Sequence, residues 1–88
     1  MKTLRIEIHG DVQGVFFRDG AQRLARKLGL RGWVTNRPDG TVEAVACGEK
    51  AALDEFLAFC RRGPSSASVS EVKAVEIEGC TDTDFSIR

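Results

Sequence analysis

Two short stretches hold the residue types from which a reactive site could be built. The first, GDVQGVFFR, spans residues 10 to 18 and ends on Arg18. Gly10 and Gly14 permit backbone angles that turn consecutive N–H groups toward one point. Arg18 adds a planar charged fork that matches two oxygens of a tetrahedral oxyanion. The second stretch, WVTNRPDG, puts Asn36, a neutral donor and acceptor, just ahead of a turn. Asparagine cannot take a proton at neutral pH. Amides, guanidinium and carboxamide together therefore suit an anion such as a phosphoryl group, held by charge and hydrogen bonds.

The spacing is not that of the nucleotide-hydrolase P-loop, since G-x-x-x-x-G-K-[ST] is absent. A Gly-rich loop with one arginine is also what many structural turns contain. Asn36 is equally suited to capping local backbone in the turn that follows it. Phe16 and Phe17 read as core anchors rather than stacking platforms, and only Phe17 falls on a helical stripe. His9 reads as a solvated strand residue, since no second ligand accompanies it. Asp11, Asp19 and Asp39 lie near the candidate site. A carboxylate there would repel a phosphate, so they are expected to shape turns or point outward.

The elements that must position these residues follow from periodicity. LRIEIH alternates Leu4, Ile6 and Ile8 with Arg5, Glu7 and His9, as a strand with one buried side does. From Phe17 the period becomes helical, with Phe17, Ala21, Leu24, Ala25 and Leu28 on one stripe. Arg26 and Lys27 favour the negative end of that helix, and Gly29 ends it. RGWVTN and TVEAVACG form a hairpin around the RPDG turn. EKAALDEFLAFCRR is a second amphipathic helix with Leu53, Phe56, Leu57 and Cys60 inward, stopped by Gly63-Pro64. VSEVKAVEIEG is a fourth strand whose alternation slips between Val72-Ala74 and Val75-Ile77, which predicts a bulge. FSIR could add a short fifth strand with Phe85 and Ile87 facing in.

The order βαββαβ predicts an α+β, ferredoxin-like split βαβ sandwich, with both helices on one face of a mixed sheet and a single domain over 1–88. A right-handed crossover makes strands one and two parallel, with strand three antiparallel between them. The two parallel strands then lie roughly 10 Å apart. Their carboxyl ends, which lead to Arg18 and to Asn36, face each other across that gap.

Bulk properties narrow the partners. The 88 residues carry 13 basic and 13 acidic side chains. This balance argues against nucleic acid, which requires concentrated Lys and Arg. No apolar run approaches the ~20 residues of a membrane span, and the first ten residues lack the apolar region of a signal peptide. Cys47, Cys60 and Cys80 form no CxxC pair and no metal-ligand spacing, and read as reduced, half-buried thiols of a cytoplasmic protein.

GDVQGVFFR together with GWVTNRPDGTVEAVACG resembles the two signatures of the acylphosphatase family. The first signature is G-x-V-Q-G-V-x-F-R. The second is carried by Gly32, Trp33, Val34, Asn36, Gly40, Val42 and Gly48. The resemblance runs from the first strand to the final FSIR. It implies a ferredoxin-like fold and hydrolysis of acyl phosphates to carboxylate and inorganic phosphate, with no metal or other cofactor. It implies that Arg18 binds the phosphoryl group, that Asn36 positions the attacking water, and that the amides of Val12, Gln13, Gly14, Val15, Phe16 and Phe17 form the phosphate cradle. Thr35 departs from the family's usual basic or non-hydroxyl residue; it is expected to face away from Asn36. The implied partners are an acyl phosphate and phosphate, with no nucleic acid or membrane, and the chain is expected to be monomeric.

Two other readings compete. A phosphate-binding module without catalysis would need no water-positioning residue, so the pairing of Arg18 with Asn36 speaks against it. A domain of a larger assembly specialised for one acyl phosphate, such as carbamoyl phosphate, is disfavoured by a free-standing chain of this length. No residue run defines an acyl pocket.

Overall fold

The computed structural model describes all residues from Met1 to Arg88. Strand β1 (Lys2–Asp11), helix α1 (Phe17–Lys27), strands β2 (Arg31–Asn36) and β3 (Val42–Gly48), helix α2 (Lys50–Arg62) and strand β4 (Ser68–Ile77) follow in βαββαβ order. The terminal segment Phe85–Ile87 forms a fifth strand, β5. The sheet order is β4-β1-β3-β2-β5. β3 is antiparallel to both β1 and β2, so those two run parallel on either side of it and end at the same sheet edge. β5 pairs in parallel with the outer side of β2. This is the ferredoxin-like α+β architecture that the periodicity predicts.

One-sided burial explains the patterns. In β1, Ile6 and Ile8 are fully buried under the helices, while Arg5, Glu7 and His9 lie on the open face. In α1, Phe17, Ala21 and Ala25 recur every four residues and are all buried. These small alanines let the helix sit close to the sheet. In α2, Leu53, Phe56, Phe59 and Cys60 face inward. The expected stripe named Leu57; Phe59 takes the deeper position and packs on Phe17 with ring centroids 5.4 Å apart. Phe56 meets Phe85 edge-on at 5.6 Å.

Three local expectations change. The bulge expected within Val72–Ile77 is absent, because the β1–β4 ladder is regular from Thr3↔Ile77 to His9↔Glu71. Val75 is opposite Arg5 on the open face of an edge strand and is exposed, which accounts for the slip in alternation. The irregularity comes one step later, between His9 and Gly10. His9 is paired, not simply solvated: its Nε2 lies 2.7 Å from Glu7 Oε1, and Arg37 donates to Glu7 Oε2 at 3.0 Å. The His9 hydrogen bond holds the Glu7 carboxyl below its usual range. Cys47 and Cys60 are fully buried, Cys80 is half-buried, and all three are free thiols; burial pushes the Cys60 thiol up to about 12.

Phe85 is the sole buried side chain of β5 and fixes that short strand against α2. Phe85→Ala is expected to cost about 3–4 kcal/mol, as for other buried aromatics. Urea unfolding should show a lower midpoint with an unchanged slope. A loss below about 1 kcal/mol would mean that β5 is not anchored in this way.

Candidate active site

The chain passes from β1 to α1 in five residues, and the geometry of that passage is unusual. Gly10, at the irregularity, has φ 126°, and a Cβ there would collide with the Ser68 carbonyl. Gly14 has φ 73°, and Phe16, which precedes the first helical residue, is also left-handed at φ 63°. That conformation costs an L-residue roughly 1–2 kcal/mol. Phe16 regains none of it by burial, since its side chain is 78% exposed. It is therefore not the core anchor expected; Phe17, at 1% exposure, fills that role alone.

This backbone path leaves donors free. No side chain caps α1. The N–H groups from Gln13 through Asp19 donate to no carbonyl or side chain of the protein, and the first to do so is that of Gly20, to the Phe16 carbonyl at 3.1 Å. Unpaired amides at a helix start, with the positive end of its dipole, form an anion-binding surface.

The loop is held from behind. The Gln13 carboxamide donates to the carbonyls of Arg37 at 2.7 Å and Thr41 at 2.9 Å, tying the loop to the β2–β3 turn. In that turn the Asp39 carboxylate accepts from the Thr41 hydroxyl at 2.6 Å and from the Thr41 N–H at 3.0 Å. These bonds hold the Asp39 carboxyl below its usual range. On the other side, the Ser66 hydroxyl donates to the Val15 carbonyl at 2.9 Å.

In front of the loop is a pocket of about 290 Å³, lined by Val12, Gly14, Phe16, Phe17, Arg18, Asp19, Asn36 and Ile87. Arg18 and Asn36, 18 positions apart in sequence, thus line one pocket. Arg18 forms no ion pair with any carboxylate of the chain. Asp19 lies in the wall rather than pointing away, but Arg23 Nε sits 3.2 Å from its carboxylate and offsets its charge. Gln13 and Val15 do not line the pocket; their side chain and carbonyl, respectively, brace the loop.

Strand register explains Asn36. It pairs with Val42 at the end of β2 and shares the helix-covered face with buried Val34. Thr35 takes the opposite face, beside Glu43, and its hydroxyl donates to the Arg88 carbonyl at 2.8 Å. Asn36 Oδ1 is buried and accepts no hydrogen bond from the protein. Leaving such an acceptor unmade costs about 1–3 kcal/mol. A half-turn of the carboxamide exchanges its two ends, so Asn36 can present a donor or an acceptor.

Ile87 is the pocket residue that periodicity misassigned. Alternation with Phe85 predicts that it faces the core, yet it is 39% exposed at the pocket. It is opposite Val34 in the parallel β2–β5 pairing, one strand out from Asn36. Only the pairing partner of a three-residue strand reveals this. No three His, Cys, Asp or Glu side chains gather to hold a metal ion.

The chain is similar to known proteins over nearly its whole length. The sequence model of the acylphosphatase family matches residues 4–87. An acylphosphatase from Thiobacillus denitrificans is 49% identical over 79 residues, covering 90% of this chain and 89% of that protein. The crystal structure of acylphosphatase from Bacillus subtilis superposes with a TM-score of 0.95 at 38% identity, covering 100% of this chain and 99% of that one. Full-length HypF, crystallised in a phosphate- and nucleotide-bound form, contains a similar unit: the TM-score is 0.88 at 32% identity, over 99% of this chain but 12% of that one. By its sequence, its fold and the two signatures that meet in one pocket, the chain belongs to the acylphosphatase family.

Proposed function

We propose that the protein hydrolyses the carboxyl–phosphate bond of acyl phosphates, giving a carboxylate and inorganic phosphate, and that it does so without a metal ion. What carries this reading is the run of unpaired amides from Gln13 to Asp19 beside the unpaired guanidinium of Arg18. The amides and Arg18 hold the phosphoryl oxygens and offset the charge on them. Arg18 binds two oxygens at once with its planar fork. Asn36 orients the attacking water on the opposite wall.

The chemistry needs little more. Phosphoryl transfer passes through a loose transition state, so positioning and charge stabilisation supply most of the rate. The leaving carboxylate has a pKa of roughly 4 and departs without a proton. Water attacks phosphorus, the bond to the acyl oxygen breaks with its electron pair, and a water proton passes to a phosphoryl oxygen. The products are RCOO⁻ and H₂PO₄⁻. No protein base is required, which fits a site where Asn36 cannot take a proton and the Asp19 carboxylate is paired with Arg23.

We further propose that the protein is monomeric and that it works in the cytoplasm, the reducing compartment that its three free thiols suit. No helix is long and apolar enough to cross a membrane.

The assay uses benzoyl phosphate in excess chelator, with a phosphomonoester as control. Loss of the acyl phosphate alone is expected; loss of neither, or only without chelator, contradicts the reading. Arg18→Ala should abolish both phosphate binding and turnover, and Arg18→Lys should not restore them, because a point charge does not replace a fork. Asn36→Ala should lower kcat by on the order of 10²-fold while phosphate still binds. Unchanged hydrolysis in Arg18→Ala would remove Arg18 from the site, and lost phosphate affinity in Asn36→Ala would make Asn36 part of the cradle instead.

A further inference from the structure

We infer that Phe16 and Ile87 form an apolar lip that selects acyl phosphates bearing a flat, apolar acyl group, so that these two side chains set the substrate preference. The inference rests on the acyl phosphate reading above.

Few large hydrophobic side chains of this protein are exposed: Met1, Phe16, Val75 and Ile87. Met1 is the terminus and Val75 lies on the open sheet face. The other two, brought together from opposite ends of the chain, line the same pocket. The remaining apolar residues of that wall, Val12 and Phe17, are each 1% exposed and already spent on the core. The apolar surface offered to a ligand is therefore that of Phe16 and Ile87.

Phe16 stands at this position against its backbone preference. Its left-handed conformation suits Gly or Asn and burdens a phenylalanine. Its exposed ring gains nothing from the core in return. A strained bulky residue kept at a ligand site points to use of its side chain. Ile87 is held in place by backbone bonding: β5 pairs with β2, and the Arg88 N–H donates to the Val34 carbonyl at 2.8 Å.

The pocket's size and charge agree. At about 290 Å³ it approaches the ~300 Å³ lower end of small-ligand sites. Arg18 and Asn36 occupy its polar side, and the lip bounds the rest. Apart from Arg18 no cation lines the pocket, and Asp19 does. An acyl group with its own negative charge finds no partner there, whereas an aromatic ring can pack on Phe16 and Ile87.

The test compares kcat/KM for benzoyl phosphate with kcat/KM for acetyl phosphate in the wild type, in Phe16→Asn and in Ile87→Thr. The two substrates carry the same phosphoryl group, so damage to phosphate handling lowers both and cancels in the ratio. Asparagine tolerates the left-handed backbone, and the Phe16→Asn protein should unfold at a urea concentration no lower than the wild type. Relative to the wild-type ratio, preference for benzoyl phosphate should fall about 5- to 10-fold in Phe16→Asn, the size of one aromatic contact. It should fall about 2- to 5-fold in Ile87→Thr, as for loss of part of an aliphatic contact. Ratios unchanged in both variants, or a wild type that prefers acetyl phosphate, overturn the lip while leaving the hydrolase reading intact. A wild type that hydrolyses neither substrate overturns the hydrolase reading itself.

Discussion

Helix α1 starts with no side chain to cap it, and the surrounding structure is arranged around that fact. Ordinary helices satisfy their first N–H groups with Ser, Thr, Asp or Asn. Here the preceding residue is Phe16, in a left-handed conformation, and the amides from Gln13 to Asp19 stay unpaired within the protein. Such a segment is locally unfavourable and must be held by its neighbours. Phe17 does so from below, buried against Phe59. Gln13 does so from behind, through two carbonyls of the β2–β3 turn. Gly10 allows the close approach of β1 to Ser68 that launches the loop in the right direction. The donors remain available to a ligand because the loop is fixed by residues that do not use them.

The topology supplies the second wall. β3 separates β1 from β2, and their parallel ends set the amide loop and Asn36 facing one pocket. Strand alternation decides which side chain of the Thr35–Asn36 pair enters it, and a slip of one residue would exchange them. β5 joins the outer side of β2 and runs parallel to it, which adds Ile87 to the rim. A polar side that carries Arg18 and Asn36 and an apolar mouth of Phe16 and Ile87 thus come from three separate segments of the chain.

Much of this was readable in the sequence, for physical reasons. A sheet with one covered face imposes alternation on β1, and a helix lying on it imposes the four-residue stripe of Phe17, Ala21 and Ala25. Arg18 and Asn36 stand out because the first ends one Gly-containing signature and the second lies within the other. What failed depended on partners that periodicity does not name. Phe16 and Phe17 are chemically identical, yet one left-handed residue sends the first outward and the second into the core. Val75 looked like a bulge because an edge strand tolerates an exposed valine. Ile87 looked like core because its place is set by which strand β5 joins, and an apolar pocket mouth built from residues 16 and 87 has no signature in any single run. Gln13 belongs to the loop signature, but its function as a strap to the β2–β3 turn requires the two carbonyls to be in view.

The central claim is that the unpaired amides at the start of α1, with Arg18, hold the phosphoryl group. Titration of the ¹⁵N-labelled protein with inorganic phosphate tests it most directly. The account predicts saturable amide proton shifts concentrated on Gln13 through Asp19, with the Arg18 guanidinium signal moving at the same phosphate concentration. Shifts absent from that segment, or centred on the shallow surface around Arg61 and Glu71, would contradict it.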